Sequence, residues 1–122
     1  MSIFSLMNRK GPTGFGYAST AEDVTSGISL DGKTILVTGC NSGLGMETMR
    51  VLALRGAHVL GTARTEDKAV QAARLVVGKA TGLACELEDP ASIRNCIATI
   101  KAGGYRLDAL VANAGIMALP TL

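Results

Sequence analysis

The segment "TILVTGCNSGLG", residues 34–45, constrains the fold more than any other part of this sequence. An apolar, β-branched run comes first, a glycine-rich turn follows, and the residues up to Arg55 have the spacing of an amphipathic helix. Strand, glycine turn and helix in this order form a unit whose turn can approach a phosphate group closely. The segment therefore predicts a nucleotide-binding turn between a first strand and a long helix.

The same alternation of strand and helix patterns continues to the end of the chain. Four strands are predicted, at "KTILVT", "AHVLGTA", "GLACEL" and "LDALVANAG". Three helices are predicted between them, over residues 43–55, 66–77 and 90–102, the last opened by Asp89 as cap and Pro90 in the first turn. Alternating strands and helices predict an α/β fold with a parallel sheet covered on both faces. For the first of these helices the residues predicted to face the sheet are Leu44, Thr48, Val51, Leu52 and Leu54.

The chain divides into two predicted units. Residues 1–29 read as an N-terminal extension in which "STAEDVTSG" can form one short helix, capped by Ser19 or Thr20. Residues 30–122 carry all of the predicted strands.

Composition excludes several classes of function. Hydrophobic residues make up 48% of the chain and charged residues 18%, which disfavours disorder. The net charge is only +2 and aromatic residues are 3%, so no nucleic-acid partner is expected. No apolar run is long enough to span a membrane. Three cysteines and one histidine provide no zinc-site spacing, and the odd cysteine count favours a reducing, cytoplasmic location.

A second phosphate-binding pattern is a false match. "GISLDGKT", residues 27–34, fits the Walker A expression, but that motif needs a strand before it and a helix after it. Here a strand follows, so the segment is predicted to be a turn leading into the first strand.

Each residue of the glycine turn has a predicted role. Gly39 allows the tight turn, Gly43 lacks a Cβ where a pyrophosphate would approach, and Gly45 permits close packing of the helix on the strand. Asn41 and Ser42 can cap the helix or donate hydrogen bonds to phosphate oxygens.

Two motifs in this order resemble those of the short-chain dehydrogenase/reductase family. "TGCNSGLG" is similar to the family's TGxxxGxG motif, and "VANAG" resembles its NNAG motif with Ala112 replacing the first Asn. The leader "GFGYASTAEDVTSGISLDGKT" also resembles the retinol-dehydrogenase-like branch. The resemblance implies a Rossmann-type doubly wound sheet with strand order 3-2-1-4, of which this chain would be the incomplete N-terminal half. It also places Leu44 in the cofactor-binding turn.

The cofactor implied by the resemblance is a nicotinamide dinucleotide. Arg64, at the end of the second strand, offers a planar fork of donors suited to a 2′-phosphate, which favours NADP(H) over NAD(H). The alternative is that Arg64 is a solvated loop residue. Glu86 and Leu87 are expected near the adenine. Asn113, Ala114 and Gly115 are expected on the ribose side or, alternatively, in an ordinary turn after the strand.

The family's catalytic Tyr is followed by Lys four residues later, and neither tyrosine here fits. Ala21 follows Tyr17 at that spacing, and Ala109 follows Tyr105. No catalytic residue is therefore assigned. Cys40 is either a thiol activated by the helix N-terminus or a small residue that fills the turn.

The leading hypothesis is an NADP(H)-dependent oxidoreductase that interconverts a small-molecule alcohol and carbonyl, represented by a fragment that lacks the catalytic half. The alternatives are a non-catalytic dinucleotide-binding module and a truncated inactive product. As a fragment, the chain would expose its fourth strand, through which it could self-associate as a homo-oligomer or aggregate.

Overall fold

Four parallel strands form one sheet in the computed structural model, which describes Ile3 and residues 9–116. The strands are β1 (Thr34–Thr38), β2 (His58–Ala63), β3 (Lys79–Ala84) and β4 (Ala109–Val111). Their order is β3-β2-β1-β4, and every neighbouring pair is parallel. The predicted α/β fold and its strand order are confirmed. The division into residues 1–29 and 30–122 stays a prediction, and both outer ends of these units lie outside the described residues.

Helices precede and connect the strands. They are α1 (Ala21–Val24), α2 (Gly43–Leu54), α3 (Glu66–Arg74) and α4 (Pro90–Ala102). The helix starts follow the capping residues of the sequence. Thr20 and Asp23 form a reciprocal capping box at α1, and the Asp89 carboxylate accepts a hydrogen bond from the Ala91 amide at 2.9 Å.

The sheet separates two apolar clusters. Because side chains alternate along a strand, Ile35 and Val37 of β1 point to the face covered by α2 and α3, while Leu36 points to the face of α4. The first cluster is the larger, and its fully buried members include Met49 of α2 and Val59 of β2.

Helix α2 buries a stripe that matches the prediction only in part, because Val51 is buried and Leu52 packs against the first cluster as expected. Its buried residues are Gly45, Met49, Val51 and Ala53. Leu44 is 80% exposed and Leu54 is 45% exposed, so their assignment to the sheet-facing side was wrong. Gly45 lies at the start of this stripe, where a Cβ would overlap the carbonyl oxygen of Gly39.

Three predicted element boundaries differ in the structure. The third strand runs over Lys79–Ala84 and not to residue 87, because it pairs residue by residue with the whole of β2. Helix α3 ends at Arg74, since residues 75–78 turn the chain back into β3 and Gly78 has a φ of +126°. The fourth strand is confined to Ala109–Val111, its only residues in register with β1.

Strand β4 lies at the edge of the described sheet. Leu110, in its middle, is 62% exposed. Self-association through this strand stays a prediction. Within the described residues, no helix is long and apolar enough to cross a membrane.

Candidate functional site

The glycine turn between β1 and α2 needs glycine for two different reasons. Gly39 has a φ of +68°, and a Cβ there would also lie 3.0 Å from the Cα of Ala114. Gly43 has a φ of +56°, but a Cβ on it would meet nothing within 4 Å. Gly39 therefore needs both its backbone conformation and the space, whereas Gly43 needs only the conformation and leaves open room above the turn.

Gly45 allows the start of α2 to touch the turn itself. A Cβ at this position would overlap the carbonyl oxygen of Gly39 and come within 2.5 Å of Asn113 Nδ2. The expected close packing is present, but the partner is the turn and Asn113, not the strand. This contact holds the first turn of the helix against the carboxyl end of β1.

Asn113 clamps the glycine turn from the end of β4. Its Nδ2 donates hydrogen bonds to the carbonyl oxygens of Thr38 at 3.1 Å and Gly39 at 3.2 Å. The hydroxyl of Thr38 accepts from the amides of Asn113 and Ala114, at 3.1 and 3.0 Å. The side chain of Asn113 thus fixes the turn by satisfying backbone acceptors.

A cavity of about 480 Å³ opens at this edge of the sheet, beside the turn. Most residues predicted to bind a cofactor line it, namely Gly39, Asn41, Ser42, Arg64, Glu86, Leu87, Asn113, Ala114 and Gly115. Gly43, Leu44 and Gly45 do not line it. Leu44 points away into solvent and Gly45 is buried under the turn, so these positions shape the cavity through the backbone alone.

Helix α2 begins beside this cavity, and its N-cap residue Ser42 lines it. Ser42 occupies the N-cap position in an extended conformation and makes no side-chain capping bond. Of the two roles left open for Ser42, capping by its side chain is absent from the structure, and donation to a phosphate stays a prediction. The amides at this helix start are free to bind an anion, which the helix dipole also favours.

Sequence reasoning missed several residues of the cavity wall, among them Thr62, Ala63, Lys68, Glu88 and Ile116. Lys68 is the important one, because it adds a second cation to the same wall as Arg64. It lies in the first turn of α3, where a positive charge opposes the helix dipole. A lysine at that unfavourable position, four residues after Arg64, was the signal that could have revealed it.

Arg64 and Glu86 face each other across this part of the cavity. The Nε of Arg64 lies 3.7 Å from the Oε2 of Glu86, and their side chains are 62% and 35% exposed. The second carboxylate oxygen, Oε1, accepts a hydrogen bond from the amide of Glu88 at 3.3 Å. The sequence-based expectation that Glu86 meets an adenine did not include this ion pair.

Cys40 does not have the environment of an activated thiol. It is fully buried, and burial raises its pKa above the ordinary value, so the favoured form is the neutral thiol. Its sulfur lies over Gly61 of β2, where a Cβ would be only 2.8 Å from it. Of the two alternatives for Cys40, filling the turn is the one that the structure supports.

His58 and Asp108 lie away from the cavity. His58 Nε2 is 2.8 Å from the hydroxyl of Thr81, and its ring packs edge-on against Tyr105. Asp108 accepts a hydrogen bond from the amide of Thr34 at 2.9 Å, at the opposite end of β1. Both therefore have structural roles.

A parallel sheet with a glycine turn, a helix N-terminus and a cavity at its carboxyl edge defines the class of dinucleotide-binding α/β proteins. Comparison with known proteins specifies the family. The model of the short chain dehydrogenase family matches residues 33–122, and the chain belongs to that family.

Curated relatives share this region and extend well beyond it. Short-chain dehydrogenase TIC 32 B, chloroplastic, of Brassica napus is 36% identical over 126 residues, which cover 98% of this chain and 39% of the relative. The Escherichia coli 3-oxoacyl-[acyl-carrier-protein] reductase is 39% identical over 89 residues, covering 73% of this chain and 36% of the reductase. The chain thus spans less than half the length of these relatives.

Solved structures agree with the fold. A metagenomic short-chain oxidoreductase in complex with NADP is 36% identical, with a TM-score of 0.63 over 71% of this chain and 41% of that protein. The Pseudomonas aeruginosa RhlG/NADP active-site complex is 32% identical, with a TM-score of 0.66 over 73% of this chain and 37% of RhlG. The retinol-dehydrogenase-like branch stays a prediction.

Proposed function

We propose that this chain binds the adenosine half of NADP(H), as part of an oxidoreductase that interconverts an alcohol and a carbonyl. The observation that carries the proposal is that several groups able to bind phosphate line the same cavity. It combines an uncapped helix N-terminus at the glycine turn with two cations, Arg64 and Lys68. Two relatives of similar fold were solved with NADP, which supports the same choice of cofactor here.

The pyrophosphate is assigned to the glycine turn. The open space above Gly43 lets the phosphates approach the backbone, and the amides at the start of α2 donate to them. A Cβ at Gly39 would displace Ala114, so the turn keeps this shape only with glycine. Asn41 and Ser42 are the neighbouring side-chain donors.

The adenosine is assigned to the region between the ends of β2 and β3. Arg64 and Lys68 receive the 2′-phosphate, because two cations on one wall distinguish a doubly charged group from a ribose hydroxyl. Glu86 and Leu87 adjoin the adenine, and Asn113, Ala114 and Gly115 line the ribose side. When bound, the nicotinamide cofactor supplies hydride transfer to the carbonyl.

These residues bind and orient the cofactor, and no catalytic residue is assigned among them. Neither Tyr17 nor Tyr105 is followed by the lysine that the family's catalytic tyrosine requires. A second candidate is a dinucleotide-binding module without turnover. A chain that binds NADP(H) but reduces no carbonyl agrees with both candidates, whereas NADPH-dependent carbonyl reduction by the purified chain alone would exclude the second.

The cofactor choice can be tested with ligands that need only the adenosine site. Isothermal titration calorimetry compares adenosine 2′,5′-bisphosphate with AMP on the full chain. Charge-assisted hydrogen bonds contribute about 1.5–3 kcal/mol each, so the bisphosphate is expected to bind at least about tenfold more tightly. Arg64→Gln should remove most of this preference. Arg74→Gln, at the opposite end of α3 and outside the cavity lining, is the matched control. Equal affinity for the two ligands would refute the assignment.

A cytoplasmic location is part of this proposal. It is supported by the three free cysteines, Cys40, Cys85 and Cys96. One relative is named as chloroplastic, so a fluorescent fusion in cells is the direct measurement.

A further inference from the structure

The carboxylate of Glu86 is held in place before any ligand arrives. The amide of Glu86 donates to the hydroxyl of Ser92 at 2.9 Å, and its Oε1 accepts from the amide of Glu88. These bonds fix the backbone and one carboxylate oxygen, leaving Oε2 directed at Arg64. Glu86 is also the less exposed partner of this ion pair, so the arginine is the group with more freedom to move.

The charges of the cavity wall cancel. Two cations, Arg64 and Lys68, and two carboxylates, Glu86 and Glu88, line it. A 2′-phosphate that enters must therefore share Arg64 with a fixed carboxylate, whose Oε2 lies 3.7 Å from the Nε of Arg64. AMP has no 2′-phosphate, so its binding does not require Arg64 to separate from Glu86.

We propose that Glu86 is a specificity-determining residue that competes with the 2′-phosphate for Arg64 and so limits the preference of the site for NADP(H). This inference rests on the proposed function. Arg64 and Lys68 increase the preference of the site for a 2′-phosphate, and Glu86 decreases it. The sequence had led us to expect only an adenine contact from Glu86. Glu86 acts on selectivity through Arg64, and the effect is specific to ligands with a 2′-phosphate.

The test is Glu86→Gln in the full chain, titrated with adenosine 2′,5′-bisphosphate and with AMP. Glutamine keeps an oxygen that can accept from Glu88 and replaces the charged Oε2 with a neutral NH2 group. Both ligands carry the adenine that Glu86 adjoins, so the ratio of bisphosphate affinity to AMP affinity is the quantity to compare. Because partly exposed charge pairs contribute modest energies, this ratio should rise about threefold in Glu86→Gln. Glu88→Gln is the matched control, since Glu88 lines the cavity but forms no ion pair with Arg64. Glu88→Gln should change the ratio of bisphosphate affinity to AMP affinity clearly less than Glu86→Gln does.

A double-mutant cycle identifies the route of the effect. In an Arg64→Gln background, adding Glu86→Gln should change the ratio of bisphosphate affinity to AMP affinity by less than about 1.5-fold, because the contested cation is gone. A threefold gain that persists in that background would overturn the competition, as would equal gains for both ligands or no gain at all. Wild-type protein that fails to prefer the bisphosphate over AMP would instead refute the proposed function. Far-UV circular dichroism of each variant confirms that the fold is retained.

Discussion

Asn113→Asp is the substitution that most directly tests how the glycine turn is held. The change is nearly isosteric, but it replaces the Nδ2 donor with a charged oxygen. That oxygen would face the carbonyl oxygens of Thr38 and Gly39, which now accept from Asn113 at 3.1 and 3.2 Å. Two attractive contacts become two repulsive ones, at a half-buried position.

The cost follows from these contacts. Each lost hydrogen bond is worth about 1 kcal/mol net, and the half-buried, unpaired carboxylate adds about 1 kcal/mol more. The free energy of unfolding should fall by about 3 kcal/mol at neutral pH. Asn113→Ala loses the same donors without adding charge, so its cost should be smaller, about 1–2 kcal/mol.

Urea unfolding monitored by far-UV circular dichroism measures both variants. With a slope of about 1.5 kcal/mol per molar urea, Asn113→Asp should lower the midpoint by about 2 M. Folding raises the pKa of the introduced carboxyl, so its penalty is present above that pKa and shrinks as the pH falls and the group is protonated. The clamp is refuted if Asn113→Asp costs no more than Asn113→Ala, or if the gap between them does not narrow at acid pH.

Three further predictions concern other parts of the fold. Gly45→Ala should lower the free energy of unfolding by about 2 kcal/mol, because its Cβ would overlap backbone atoms. Gly43→Ala has open space around its Cβ and only a positive φ, so it should lower the free energy of unfolding by about 1 kcal/mol. Equal losses in urea titrations would contradict the packing argument. Asp89→Ala should lose about 1 kcal/mol of stability through the missing N-cap, and Asp89→Asn should restore most of it; thermal unfolding of both variants shows whether the cap matters. Burial raises the pKa of Cys40, and burial followed by the neighbouring Cys85 raises that of Cys96 from 9.0 to about 11. Both thiols should therefore react slowly with an alkylating reagent at pH 7 until urea unfolds the chain. Rapid labelling of the folded chain, detected by mass spectrometry, would contradict the burial of these thiols. The stability that the neutral Cys96 contributes should be lost as the pH rises from 9 to 11.

Local chemistry made much of the fold readable from the sequence. The alternation of apolar strands with capped helices was enough for the parallel sheet, and Thr20 and Asp89 cap the helices at the predicted positions. Such signals depend on near neighbours in the chain. The position of β3 and the length of β4 depend instead on pairing with distant strands. The third strand was predicted three residues too late in the chain, and the fourth was predicted too long.

The sequence by itself determined the class of the site: a glycine turn after β1, Arg64 after β2 and the motif at Asn113 after β4. Only the tertiary structure decided how these groups act together, since parallel strands bring their carboxyl ends to one edge whatever their separation in the chain. That convergence puts the amide of Asn113 on the turn, about 75 residues earlier in the chain. It also adds Lys68 to the cavity wall and sets Glu86 against Arg64. Side-chain contacts across the sheet edge leave no pattern in the sequence, because they depend on distances that folding alone creates.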